Sequence, residues 1–557
     1  MVRVGLLTQG VLFLSGVFAQ RTAVDLGYAR YKGQPLPNGI VQWLGMRYAA
    51  PPVGLLRFSA PQDPEEVDGV QDAFQHGPLC IPTVTEEEVF PDGTAEDCLF
   101  INVHAPRNIS KPLPVYFWIE GGGFNENSQA DYDASGLIRA SHMGIVVVTF
   151  NYRVGPYGFL AGEEVEKGGS MNNGLKDQIK ALQWVQKHIR KVCRLLHEKK
   201  GMANHLSALY KFGGDPNHVV LGGVSAGAAS ITLLLSAHGG RDDGLFHAAA
   251  AESQSFAGML TVKESQFAYN NLVIRTGCAS EEDTLACLRN LDVGTLQSVN
   301  INTPLPKAQE APLYMYGPVV DGTLVPDYTY RLFHKGNFIK VPVIFGDVTN
   351  EGTVFAPKEI STVGEADIFL QSQFPEIQLR HLARINAMYL QENETRQYPE
   401  AGPYWIPASN AYGEMRYTCP GMDMSSVYAR AGVKSWNYHY AVLDPDSEAA
   451  GEGTAHTQEV NAIFGPQHVT DDDPPASYFT TNAPIIPVVQ GYWTSFIRSF
   501  DPNLYRRPGT PEWKQWGRDN EHRRLFIRTG ETGMEVAPPD QVRRCDYLIS
   551  IGLDLAQ

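Results

Sequence analysis

His218-Val219-Val220-Leu221-Gly222-Gly223-Val224-Ser225-Ala226-Gly227-Ala228 passes from a short apolar run, through a turn of small residues, into a helix-forming stretch ending near Leu235. The five residues 223–227 match the pattern Gly-x-Ser-x-Gly. In a chain of 557 residues with 53 glycines that pattern alone is weak. Its setting gives it meaning. A strand before and a helix after would hold Ser225 on a sharp, strained turn at a helix N-terminus, and small neighbours let the backbone close that tightly.

The same alternation of strand and helix recurs on both sides. Val115-Tyr116-Phe117-Trp118-Ile119 and Gly144-Ile145-Val146-Val147-Val148-Thr149-Phe150 read as strands, as does Val341-Pro342-Val343-Ile344-Phe345-Gly346. Residues 173–189 read as a helix, with Leu175, Ile179, Leu182 and Val185 on one face. The charge-poor stretch 474–487 reads as a long surface loop. No fixed-period repeat or low-complexity linker divides the chain. The expectation is one large α/β domain with a mostly parallel sheet and helices on both faces.

A serine hydroxyl is a poor nucleophile near neutral pH. It needs a base, a carboxylate to orient that base, and donors for the oxyanion of a tetrahedral intermediate. Gly121-Gly122-Gly123 directly follows the apolar run at 115–119, so the N–H groups of Gly122 and Gly123, with that of Ala226 beside the serine, are the candidate donors.

Composition narrows the remaining classes. Hydrophobic residues make up 43% of the chain, too many for disorder. Net charge is −16 and no basic run is long enough for a nucleic-acid footprint, so no nucleic-acid partner is expected. Arg3, the apolar run 4–17 and Val17-Phe18-Ala19 read as a secretory signal peptide, residues 1–19, leaving a domain over 20–557. No other stretch is long enough to span a membrane. The expected product is a secreted, extracellular protein. Two sequons, at Asn108 and Asn393, fit glycosylated loops. Seven cysteines are an odd number for an exported chain.

At this point the order of motifs resembles the type-B carboxylesterase/lipase family of the α/β-hydrolase fold, which includes fungal secreted esterases and lipases, cholinesterases and neuroligins. The resemblance rests on Leu44-Gly45-Met46-Arg47-Tyr48-Ala49-Ala50-Pro51-Pro52-Val53-Gly54 with Arg57-Phe58, on Glu96-Asp97-Cys98-Leu99-Phe100-Ile101-Asn102-Val103, and on Asn151-Tyr152-Arg153-Val154-Gly155. It implies a triad in the order Ser, Glu, His. Gly346 to Glu351-Gly352-Thr353 is similar to the family's acid segment, and Gly453-Thr454-Ala455-His456, with Glu459 beyond it, to its histidine segment. The implied assignments are Ser225 as nucleophile, Glu351 as orienting acid and His456 as general base, with no metal or organic cofactor. His439, between two tyrosines, reads as structural.

The resemblance also implies the pairs Cys80–Cys98 and Cys278–Cys287. Cys419 and Cys545 remain, with their pairing open. Two positions depart from the family's usual residues: Val224, usually acidic, and Glu120, more often His, Tyr or Gln. An ionised carboxylate aimed into the oxyanion site would oppose the developing charge, so Glu120 is expected to point away or be paired.

The segment 192–211 sits between the helix at 173–189 and Phe212, and is basic, with Arg194, Lys199, Lys200 and Lys211 against Glu198. It also holds Cys193. It reads either as a helical surface insertion or, the preferred reading, as a translated intron retained in the chain. Val192-Cys193 can be encoded by GTATGT, a common intron start. Ala203-Asn204 can be encoded by GCTAAC, a branch-point string, and Lys211 can end in AG. Removing the segment leaves an even number of cysteines.

The expected function is a serine carboxylic ester hydrolase acting through an acyl-enzyme on a small-molecule ester. Between Cys80 and Cys98 lie Glu86, Glu87, Glu88, Asp92, Glu96 and Asp97. A lid so short and acidic favours short-to-medium acyl esters over triacylglycerol, with a lipase as the second reading. A silent adhesion protein of the neuroligin type is the alternative from another class.

Overall fold

The computed structural model describes residues 22–84, 91–127, 132–190, 212–391, 398, 400–469, 474–517 and 521–557, with backbone alone at 192–193 and 209–210. The signal peptide at 1–19, Asn393, Glu86 to Glu88 and most of 192–211 lie outside the described residues.

Thirteen strands form the main sheet. In chain order they are β1 (Ala23–Asp25), β2 (Arg30–Pro35), β3 (Ile40–Arg47), β4 (Val70–Ala73), β5 (Phe100–Pro106), β6 (Leu113–Ile119), β7 (Val146–Phe150), β8 (Gly214–Val224), β9 (Ala248–Glu252), β10 (Val343–Val348), β11 (Ser435–Tyr440), β12 (Arg523–Ile527) and β13 (Gly533–Val536). The spatial order is β1-β2-β3-β5-β7-β6-β8-β9-β10-β11-β12-β13, with β4 paired to β2. Pairing is parallel from β7 to β12. The neighbours β1-β2-β3-β5-β7, and β12 with β13, pair antiparallel, while β4 runs parallel to β2.

The central strands are apolar on both faces because both faces are covered. Alternate side chains then enter different cores. Val115, Phe117, Ile119, Val219 and Leu221 belong to one buried cluster. Tyr116, Trp118, Val220 and Val224 belong to the other. The helix Asn173–His188 carries its buried Leu175, Leu182 and Val185 against the first. A third cluster, around Trp405, Tyr412 and Met415, packs beneath the Cys419–Cys545 disulfide.

The strand and helix expectations hold with shifted ends: β8 begins four residues earlier than read, and β10 two residues later. The expected loop at 474–487 is corrected. It contains short 3-10 turns at Ala476–Phe479 and Ala483–Ile485, then the start of the helix Ile486–Ser499. Pro484 and Pro487 fall in the first turns of these elements, where the missing N–H of proline would have had no partner.

Cys80–Cys98, Cys278–Cys287 and Cys419–Cys545 are disulfide-bonded, which closes the pairing left open for the last two. The loop closed by the first is anchored by two ion pairs. Asp97 takes both terminal nitrogens of Arg47 at 2.6 Å, and Glu96 receives Arg57 Nη2 at 2.9 Å.

Deeper still, Arg153 donates from Nε and Nη2 to Asp177 at 2.8 Å each, with the partners 2% and 0% exposed. Breaking a buried pair leaves an uncompensated charge. Asp177→Ala is expected to lower unfolding stability by about 3–5 kcal/mol in chemical denaturation. A loss below 1 kcal/mol would show that the pair is not sealed from water.

Candidate active site

The residues singled out from sequence converge at the carboxyl ends of the parallel strands, where open α/β sheets place their sites. β6 runs into Gly121-Gly122-Gly123, β8 into Ser225, β9 into Ser253, and β10 into the loop carrying Glu351.

Ser225 sits between β8 and the helix Ala226–Gly240, with φ 57° and ψ −118°, a left-handed conformation that a residue with a side chain occupies only under constraint. The turn admits no bulk beside it. A Cβ on Gly227 would lie 2.0 Å from the Ile119 carbonyl oxygen, and one on Gly223 2.8 Å from the same atom. The Ser225 N–H donates to the Glu252 carbonyl at 3.1 Å, and the side chain is 9% exposed.

The glycine turn is held by its carbonyls. Gly122 O accepts from the N–H groups of Asn125 and Glu126 at 2.9 and 3.0 Å, and Gly123 O from Asn125 Nδ2 at 2.8 Å. No peptide bond among the described residues is cis. In a planar trans peptide the N–H points opposite to its own carbonyl, so the Gly123 N–H is turned away from this network. Gly123 also meets Tyr314 closely: its Cβ would fall 2.1 Å from the ring. Glu120 is fully buried, its backbone carbonyl accepts the Tyr152 hydroxyl at 3.1 Å, and its charge acts on the phenols of Tyr48 and Tyr152.

His456 Nδ1 is in direct contact with Glu351 Oε2, while Glu351 Oε1 accepts the Val348 N–H at 2.8 Å. The loops bearing them are joined by Asn350 N–H to Thr454 O and by Thr454 N–H to Asn350 Oδ1, both 3.0 Å. The imidazole lies between Phe355 and Tyr417, at 5.0 and 4.6 Å between ring centres. Its Nε2 is buried and has no hydrogen-bond partner among the described residues, Ser225 included. Catalytic hydrogen bonds often tighten only when substrate binds.

Burial pushes the His456 imidazole below its ordinary pKa; the negative charge of Glu459 opposes this and the positive charge of Arg416 adds to it. Burial pushes the Glu351 carboxyl up, opposed by the Val348 N–H and the Ser253 hydroxyl.

Behind this contact lies a layer that the motifs did not reveal. Ser253 Oγ donates to Glu459 Oε1 at 2.8 Å and accepts the Thr457 N–H at 3.3 Å, tying the end of β9 to the histidine loop. Tyr438 donates to the same Glu459 oxygen at 2.9 Å. Glu252, fully buried, accepts from the Gly223 N–H at 3.0 Å and Trp493 Nε1 at 2.6 Å, and burial raises its pKa to about 8. Two signals were available: Glu459, just beyond the histidine segment, and Glu252, a carboxylate ending the run Ala248-Ala249-Ala250-Ala251. His439 bonds Glu535 at 2.8 Å and Thr349 at 2.9 Å, the structural role expected of it.

An open cleft of about 870 Å³, counted with its mouth, has Gly123 in its wall. Phe124, Leu305, Tyr314, Met315 and Phe374 give it apolar walls, and Arg416 reaches it from below. Glu414, Cys419 and Cys545 are the only described residues grouped closely enough to hold a metal, and two of them form a disulfide.

The family model described as "Carboxylesterase family" matches residues 20–192 and 207–547. The crystal structure of Aspergillus niger EstA superposes with a TM-score of 0.89 at 41% identity, covering 96% of this chain and 99% of that one. Secreted lipase 1 of Botryotinia fuckeliana is 33% identical over 87% of this chain and 86% of its own. Secreted lipase 4 of Gibberella zeae is 28% identical over 91% and 87%.

Proposed function

The chain belongs to the carboxylesterase family and is a carboxylic ester hydrolase with an α/β-hydrolase fold, and from that premise we propose that it works through Ser225, His456 and Glu351 by an acyl-enzyme. Ser225 Oγ attacks the ester carbonyl carbon as His456 Nε2 takes its proton. The C–O bond to the alcohol then breaks, and the imidazolium returns the proton to the leaving alkoxide. Water, deprotonated by His456, releases the acid. The N–H groups of Gly122, Gly123 and Ala226 hold the oxyanion. The observation that carries this reading is the contact of His456 Nδ1 with Glu351, which leaves a buried Nε2 without a hydrogen-bond partner among the described residues, on a loop tied through Thr457 and Ser253 to the end of β9, the strand beside the one that delivers Ser225.

Only the neutral imidazole can accept the serine proton, so activity falls as pH drops through its pKa. Because burial lowers that pKa, the acid limb of kcat/KM for an uncharged ester is expected below about pH 6.5, the ordinary imidazole value. A limb above pH 7 would contradict it.

The preferred substrates are short-to-medium acyl esters. Arg47 and Arg57 hold the base of the short acidic loop between Cys80 and Cys98, and that loop has no long apolar face for a lipid surface. Secretion after loss of residues 1–19 is supported by the likeness to the secreted lipases of Gibberella zeae and Botryotinia fuckeliana. No helix among the described residues is long and apolar enough to cross a membrane. Asn108 is exposed in the loop after β5, where a glycan fits, and Asn393 is assigned by its sequon. The mature domain is 20–557 without 192–211. In support, Val192 and Cys193 pair with Tyr210 and Leu209, and the Gly214 N–H reaches Ile189 O at 3.1 Å, so the segment leaves and re-enters at one place.

Hydrolysis of p-nitrophenyl esters from acetyl to palmitoyl, by the full chain and by a form lacking 192–211, tests the substrate reading. Activity peaking on short chains is expected, with the shortened form at least as active. A peak on long chains that jumps above the solubility limit makes the protein a lipase.

A further inference from the structure

Arg416 lies on a π-helical turn, Glu414–Thr418, between the helices Trp405–Gly413 and Cys419–Arg430. Such turns insert an extra residue and recur at functional sites. The residue is 7% exposed and lines the same cleft as Gly123. Other shielded arginines are closed by a carboxylate: Arg153 by Asp177, Arg57 by Glu96, Arg524 by Glu535. Among the described residues no carboxylate lies within ion-pairing distance of Arg416, and its Nε has no hydrogen-bond partner. Tyr314 and Tyr417 present rings 5.7 and 5.8 Å from Cζ, and the neutral hydroxyls of Tyr417 and Tyr412 interact with the guanidinium without supplying a charge. Ring faces attract a cation but carry no charge to neutralise it.

A buried guanidinium without a counterion is costly unless something supplies one. Its planar fork is matched to a carboxylate, which it can hold through two parallel hydrogen bonds. Arg416 and Gly123, a proposed oxyanion donor, line the same cleft, so an anion held by Arg416 would belong to a molecule whose ester reaches Ser225. We propose that Arg416 anchors a carboxylate carried by the substrate, and that the preferred esters are half-esters of dicarboxylic acids or esters of hydroxy acids with the acid group free. This rests on the ester hydrolase assignment and on Ser225 as the nucleophile.

The test compares pairs matched in size by pH-stat: monomethyl glutarate against methyl pentanoate for a carboxylate on the acyl side, and acetoxyacetate against propyl acetate for one on the alcohol side. The full chain is expected to favour the anionic member of one pair, which also identifies the side, by on the order of 100-fold in kcat/KM, the range of a charge-assisted contact. Arg416→Met should abolish that preference, and Arg416→Lys should keep part of it. The wild-type ratio needs no folded variant. Equal use of both members in both pairs, or a preference that survives Arg416→Met, overturns the proposal and leaves the hydrolase reading standing. No hydrolysis of any of the four esters overturns both.

Discussion

Ser225→Ala is expected to lower kcat on an activated ester by about 10⁵-fold or more, with KM changed little. In the proposed mechanism the hydroxyl is the atom that forms the acyl-enzyme; Ser253 also has a positive φ, but its hydroxyl is engaged by Glu459 and the Thr457 N–H, which leaves Ser225 as the serine on the strand-to-helix turn. Loss of a nucleophile removes the covalent route altogether, and what remains is the roughly 10³–10⁴-fold that oxyanion donors and binding supply over water. The variant should fold, because the hydroxyl makes no hydrogen bond that the fold depends on, while the Ser225 N–H to Glu252 O bond is a backbone contact alanine keeps. A variant retaining more than a hundredth of the activity, with an unchanged melting temperature, would remove Ser225 from the mechanism.

Glu351→Gln is expected to cost about 10⁴-fold in kcat. The change preserves shape and reverses one contact. Glu351 Oε2 accepts from His456 Nδ1, which fixes the tautomer that leaves Nε2 able to take the serine proton. Glutamine, turned so that its oxygen still accepts from the Val348 N–H, presents its NH₂ to Nδ1. The imidazole proton then moves to Nε2, the wrong nitrogen. Glu351→Asp keeps the charge but shortens the reach, and should fall between the two. A Gln variant within tenfold of wild type would assign tautomer control to another group, with Glu459 through Ser253 the first to examine.

The serine turn could be read in advance because its physical requirements are local. A sharp strand-to-helix turn demands small residues within two positions, and Gly223 and Gly227 supply them. The strand at 115–119 was likewise legible, its unbroken apolar run reflecting burial on both faces. Glu351 and His456 were legible only through resemblance, since among 61 acidic residues and 15 histidines nothing local distinguishes them. Ser253, Tyr438 and Glu459 form one network across more than 200 positions of chain, and no spacing rule reaches that far. Arg416 has the same difficulty in a sharper form. What distinguishes it is the lack of an anion around it, which exists only in three dimensions. Ala476–Phe479 and the helix from Ile486 were hidden by prolines that break a helix interior but suit its first turn.

The most direct measurement of the central claim is covalent: react the protein with a fluorophosphonate, digest it, and locate the adduct by mass spectrometry. A serine nucleophile displaces fluoride from phosphorus only when a base removes its proton, so labelling reports the activated hydroxyl itself. The expected result is one phosphonylated residue, Ser225, formed in step with the loss of esterase activity and absent in His456→Ala. An adduct on another residue that tracks the loss of activity, or full esterase activity with no adduct, would contradict it.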